Sequence, residues 1–297
     1  GGALGNFGGA SATITDSHFT GNLARGGSGW SAGWNGLGLG GAIANAGALT
    51  ITGSTFTHNQ AIGGSDNPGG VNSGNGCGGA IFTHLAPVVA NGSRFDHNQA
   101  IGGDRSVPGG AYGGAIWAGG PGTITGSSLE HNEALGGAGG PGASGGPAFG
   151  GGVQVADAFG TGANVTISNS TVEHNHAVGG PGGPGGNGGA GQGGGLSGDI
   201  QATLTANGVT VAYNHAQGGR AGTGGSGGDG LGGGLYDGST ATLTLVGATV
   251  SYNLALGGAA GGQGIGGGVY RLGTFSFDPA TVIAKNQAST SNDNVGP

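Results

Sequence analysis

Four histidines, each directly before an asparagine, are the residues best suited to chemistry. They are His58, His97, His131 and His174, and the same position continues as Tyr213 and Tyr252. If the segments that carry them stack, adjacent imidazoles come within about 5 to 10 Å, a spacing that suits a divalent metal or a pH sensor. Tyr replaces His here, and no Cys or carboxylate completes a familiar ligand spacing. We therefore expect an exposed row of turn residues and no metal; the four histidines are the candidates if one binds.

Three acids precede three of these histidines, at one shared position. They are Asp96, Glu130 and Glu173. Stacked carboxylates are how polysaccharide-active β-helices build calcium sites and acid pairs, but only Arg94 supplies a positive charge close in sequence. We interpret the acids as a stripe on a solvated face. With Trp30 and Trp34 they are the candidate binding residues, and we assign no catalytic residue and no cofactor.

The composition excludes several classes of protein. The chain has 297 residues, of which 84 are Gly, and only 6% are charged. Its net charge is -7 and its six Lys and Arg residues are scattered, so nucleic acid is not an expected partner. No apolar stretch approaches the roughly eighteen residues of a membrane-spanning helix, and no signal peptide is recognisable. Cys77 is the only cysteine, which excludes an internal disulfide.

The elements that position the candidate residues come from a repeat. An Asn followed two residues later by Ala occurs eight times, at Asn22, Asn59, Asn98, Asn132, Asn175, Asn214, Asn253 and Asn286. Each Asn follows an apolar residue by three positions, and period-two alternation before that residue indicates short β-strands. Strand sets this short cannot bury their own apolar faces, so the copies must stack. We predict one solenoid domain over residues 1–288 with eight rungs, an interior Asn ladder and a C-terminal tail over 289–297.

Two motifs add a family resemblance. Tetrads of the form GGAI end at Ile43, Ile81 and Ile116, and FxxN segments begin at Phe19, Phe56 and Phe95. Their combination resembles the repeats of polymorphic outer-membrane proteins and related bacterial surface β-helices. The resemblance implies an all-β, right-handed parallel β-helix that is exported and displayed on the cell surface. Later copies depart from the pattern, since GGG replaces GGA and Val replaces Phe.

Glycine-rich insertions separate the rungs, and two interpretations of them remain open. The segment 179–191, GGPGGPGGNGGAG, has a three-residue beat that is too short for collagen. Such segments either form flexible surface loops or pack side by side as a polyglycine-II-like layer. In the second case the first insertion would present Trp30 and Trp34.

These features favour a non-enzymatic extracellular structural protein, either a cell-surface scaffold or a filament-forming chain. The expected partner is a second copy of the same chain. A glycan-binding adhesin is the alternative, with surface glycans as partners, and a polysaccharide lyase or hydrolase is the third possibility.

Overall fold

The computed structural model describes residues 1–29, 36–66, 74–104, 106–156 and 163–297. Trp30 and Trp34 lie outside these ranges. Within them the chain is all-β without a helix, and its strands stack as a parallel β-solenoid. The predicted all-β parallel β-solenoid is confirmed.

Each repeat passes through five parallel sheets, which we number in the order that the chain meets them. Sheet 1 contains Leu4–Asn6, Ile43–Asn45, Ile81–His84, Ile116–Gly119, Val153–Ala156, Leu196–Asp199, Leu235–Asp237, Val269–Arg271 and Val295–Gly296. Sheet 2 contains Ser11–Thr15, Ala48–Thr52, Val88–Asn91, Gly122–Thr125, Asn164–Ser168, Thr203–Asn207, Thr242–Val246 and Thr274–Phe277.

The remaining three sheets complete the turn. Sheet 3 contains His18–Thr20, Thr55–Thr57, Arg94–Asp96, Ser128–Glu130, Thr171–Glu173, Thr210–Ala212, Thr249–Ser251 and Val282–Ala284. Sheet 4 contains Leu23–Arg25, Gln60–Ile62, Gln99–Ile101, Glu133–Leu135, His176–Val178, His215–Gln217, Leu254–Leu256 and Gln287–Ala288. Sheet 5 contains Gly38–Leu39, Gly76–Cys77, Ala111–Tyr112, Ala148–Phe149, Gly191–Gln192, Gly230–Leu231 and Gly264–Ile265.

Strand register places equivalent residues of successive copies directly against one another. Phe56 pairs with Phe19 on one side and Phe95 on the other, and the ring centroids lie 4.8 and 5.0 Å apart. In sheet 2, Ile51 pairs with Ile14. Because side chains alternate across a strand, these residues all point inward and form one continuous apolar core along the solenoid.

The eight repeat asparagines form a ladder at the corner between sheets 3 and 4, and it is buried from Asn59 onward. Each side-chain amide donates to the Oδ1 atom of the next Asn, at 2.8 to 3.0 Å, along the whole series from Asn22 to Asn286. From Asn59 onward each amide also donates to a backbone carbonyl of sheet 3, as Asn98 does to Phe56 at 3.0 Å. The ladder ends on Asn294, whose Oδ1 accepts from Asn286 at 3.1 Å. Residues 289–297 therefore return to the solenoid, where Val295–Gly296 pairs with sheet 1.

The described glycine-rich insertions are also ordered by backbone hydrogen bonds. Every third amide of one insertion donates to the next at 2.7 to 2.8 Å, with Gly139, Gly142 and Gly145 as donors and Pro181, Pro184 and Asn187 as acceptors. The next pair of insertions repeats the pattern from Gly182, Gly185 and Gly188. Each insertion also closes on itself, as Gly189 does on Gly180 at 2.8 Å. These contacts join backbone groups alone, which explains why the insertions contain so few residues with large side chains.

Asp237 in sheet 1 makes the stability of the fold decrease as the pH rises toward neutrality. Burial raises the pKa of this carboxyl group to about 7, and the Gly273 amide and Arg271 offset only part of that effect. The unfolded pKa is about 3.9, so stability is lost as the pH rises from about 4 to 7. We expect Asp237→Asn to raise the melting temperature by a few degrees at pH 8 and to change it little at pH 4.

The control for this prediction is Asp278, whose pKa is shifted in the opposite direction. Hydrogen bonds from the Gly247 amide and the Thr281 hydroxyl lower the pKa of exposed Asp278, so its contribution is present at neutral pH and lost on acidification. Asp278→Asn should therefore lower the melting temperature at pH 8. Thermal denaturation of both variants at the two pH values checks the pair, and equal responses would contradict the assignment.

Candidate functional site

The residue before each ladder Asn projects outward because the backbone turns there through the left-handed region. His58, His97, His131 and His174 have φ angles of 55, 53, 53 and 56°, and Tyr213 and Tyr252 have 56 and 57°. We call these six residues, four histidines and two tyrosines, the imidazole row. Their rings stack with centroids 4.8 to 5.1 Å apart and planes within 16° of parallel. The structure thus brings all four predicted histidines together.

A second row lies beside the first, at the position directly after the ladder Asn in five consecutive copies. This amide row consists of Gln60, Gln99, Glu133, His176 and His215, which are adjacent in the register of sheet 4. The Gln60 amide donates to Gln99 at 2.7 Å, and the Gln99 amide donates to the Glu133 carboxylate at 2.8 Å. Sequence reasoning missed this row, although its position directly after the Asn was a usable signal.

The two rows enclose a shallow groove of about 140 Å³. It is lined by His58, Gln60, His97, Gln99, His131 and Glu133. Because the rings stack on one another, one wall presents ring edges, and the other presents amide and carboxylate groups. Both walls therefore offer hydrogen-bonding groups, which suit a ligand rich in hydroxyl groups.

The three predicted acids lie side by side in sheet 3, next to the imidazole row. Asp96 pairs in register with Glu130, and Glu130 with Glu173. Arg94 contacts both Asp96 and Glu130, at 3.2 and 3.0 Å, so those two carboxylates share one guanidinium.

Asp96 differs from the other two acids because its side chain is largely buried and turned toward the imidazoles. Its Oδ1 atom lies 2.9 Å from Nδ1 of His97 and 3.3 Å from Nδ1 of His131. The sequence predicted the acidic stripe and the histidine row separately. It gave no sign that one carboxylate would join two imidazoles of different rungs.

The outer face of sheets 1 and 5 carries an aromatic cluster that the sequence analysis also missed. Phe82 stacks on Trp117 with centroids 4.7 Å apart, and Tyr112 stacks on Phe149 at 5.4 Å. Cys77 is buried in this cluster, and burial raises the pKa of its thiol to about 12. Because thiol reactivity requires the thiolate, Cys77 is a packing residue.

His215 at the end of the amide row makes the fold sensitive to acid. Burial, aided by His176, lowers the pKa of His215 to about 4. An unfolded imidazole titrates near 6.5, so stability is lost as the pH falls from about 6.5 to 4, by at most about 3 kcal/mol. His215→Gln should reduce this loss of stability on acidification. Glutamine already occurs in the same row, at Gln60 and Gln99, so the substitution fits the position. Chemical denaturation at pH 7 and pH 4.5 measures the loss.

The control for His215 is the same substitution at His18, which is exposed. His18→Gln should leave the wild-type loss between pH 7 and pH 4.5 in place. An unchanged acid response in His215→Gln would contradict the assignment.

Fold and site define this chain as a glycine-rich parallel β-solenoid with two outward side-chain rows. Comparison with family models, curated proteins and solved structures finds no match to the chain. Among the described residues no helix has the length and apolar character needed to cross a membrane. Trp30 and Trp34, the other predicted binding residues, lie outside the described part of the chain.

Proposed function

We propose that this chain is a non-enzymatic structural scaffold of the extracellular surface, able to associate with further copies of itself. The observation that carries the proposal is the hydrogen-bonded insertion layer, in which Gly amides of one rung donate to the next at intervals of three residues. We interpret this layer as polyglycine-II-like, because close backbone approach with a three-residue repeat is typical of that conformation.

The layer supports a structural role because it widens the solenoid through backbone contacts and carries few charged side chains. Such a surface lets a second backbone approach closely, which suits lateral association of identical chains. The low proportion of charged residues, 6%, leaves little electrostatic repulsion to oppose it. The GGAI and FxxN motifs, which resemble those of polymorphic outer-membrane proteins, support the surface location.

Electron microscopy and light scattering of the purified chain test self-association. Regular fibres or an oligomer of fixed size, formed at micromolar concentration, is the expected result. A monomer that persists across the accessible concentration range would contradict it. Ala substitutions at glycines of the layer that keep the chain folded should reduce assembly, whereas Phe82→Ala on the aromatic face should not.

A second candidate is glycan binding in the groove between the imidazole and amide rows. The specific observation is the pairing of a stacked ring wall with an amide wall around about 140 Å³ of open groove. Sugar hydroxyls can exchange hydrogen bonds with the ring nitrogens of one wall and the amide groups of the other. Binding on a glycan array without turnover, lost in Gln99→Ala and kept in Thr13→Ala on sheet 2, is the expected outcome; equal signals from both variants would contradict it.

A further inference from the structure

We infer that Asp96, His97 and His131 form a binding site for one divalent transition-metal ion such as Zn²⁺. Their ligand atoms lie within 4.8 Å of one another, and they come from two adjacent rungs of the solenoid. The inference does not depend on the scaffold or the glycan proposal, since it concerns a different property of the groove edge.

The distances match those of ligands around a single ion. Two atoms each about 2.1 Å from a tetrahedral zinc lie about 3.4 Å apart. Asp96 Oδ1 is 2.9 Å from His97 Nδ1 and 3.3 Å from His131 Nδ1, so both of these edges lie within about 0.5 Å of the tetrahedral length. The third edge joins the two imidazoles, whose ligand atoms lie within 4.8 Å of each other and whose rings are stacked. Binding one ion requires these rings to turn toward each other, which their exposure of 50% and 46% allows.

The surrounding groups hold the carboxylate in place. The Asp96 side chain is only 12% exposed, and its second oxygen contacts Arg94 at 3.2 Å. Oδ1 therefore faces the imidazoles while Oδ2 faces the guanidinium. Both histidines must carry their proton on Nε2 for Nδ1 to bind the metal, a tautomer that the open groove side permits.

The ligand set selects the class of ion. Imidazole nitrogens suit Zn²⁺, Cu²⁺ and Ni²⁺, whereas Mg²⁺ and Ca²⁺ require mainly oxygen ligands. Two nitrogens and one carboxylate oxygen leave a fourth position open to water or to a ligand in the groove.

The chain contains its own matched controls. His131→Tyr removes a ligand but introduces the residue that the same row uses at Tyr213, at nearly the same φ angle. His174→Tyr makes the identical change one rung away, outside the three-residue cluster. Asp96→Asn and Glu173→Gln form a second pair on the acidic stripe.

The test is calorimetric titration of the untagged full chain with Zn²⁺, with Mg²⁺ as the reference ion. We expect one Zn²⁺ per chain, at least about tenfold weaker binding in His131→Tyr and Asp96→Asn, and little change in His174→Tyr and Glu173→Gln. Nuclear magnetic resonance of the wild-type imidazoles should show Zn²⁺-dependent shifts at His97 and His131 but not at His215. The inference is overturned by no Zn²⁺ binding below millimolar concentration, by equal losses in both Tyr variants, or by Mg²⁺ binding of equal strength.

Discussion

Asn132→Ala is expected to lower the free energy of unfolding by about 4 kcal/mol, the largest effect of any single side chain that we consider. The Asn132 side chain accepts hydrogen bonds from the Asn98 amide and the Asn98 backbone, and donates to Phe95 and to Asn175. All four bonds are buried. Their loss leaves polar groups without partners inside the solenoid, at roughly 1 kcal/mol or more each. Urea denaturation followed by circular dichroism measures the change.

Asn22→Ala is the matched control, because Asn22 stands at the first position of the same ladder. Its side chain donates one bond, to Asn59 at 2.8 Å, and is half-buried. We expect a cost of about 1 kcal/mol. Equal costs at the two positions would mean that the ladder stabilises the fold by local contacts alone and not by continuity between rungs.

The second large effect is expected in the glycine-rich layer. A Cβ atom at Gly183 would overlap the carbonyl oxygen of Gly140 in the preceding insertion, and that oxygen belongs to the backbone and cannot rotate away. Gly183→Ala must therefore push two insertions apart, at a cost of about 3 kcal/mol. We expect a lower melting temperature and faster hydrogen exchange at the amides of Gly139, Gly142 and Gly145.

Gly224→Ala separates overlap from backbone strain. Gly224 has a φ angle of 85° and nothing within 4 Å of the added Cβ atom, so only the left-handed conformation opposes the change. That strain costs about 1 kcal/mol. If the two variants lose the same stability, the layer is not held by close backbone packing.

Much of the solenoid could be predicted because the pattern that specifies its strands lies within short stretches of sequence. The alternation around Ile51 and Phe56 fixes which side chains point inward, and that pattern survives the uneven length of the insertions. Equivalent residues then have to pair when copies stack. The histidine row and the acidic stripe follow from the same argument, since each occupies one position of the repeat.

The insertions could not be predicted in this way. Two conformations were open for segments such as 179–191, because a glycine-rich sequence carries no side-chain pattern that distinguishes a flexible loop from a packed layer. The hydrogen bonds from Gly139 to Pro181 and from Gly182 to Arg220 exist only because each insertion has an ordered neighbour.

The sequence by itself determined the repeat, its strands and the outward position of the residue before each Asn. Only the tertiary structure decided which rows meet across rungs: Asp96 reaching His131, Gln99 reaching Glu133, and Asn294 ending the ladder. The physical reason is that side-chain rotation and insertion length set these contacts. Neither is encoded in the spacing of the repeat, whereas the alternation of buried and exposed residues is.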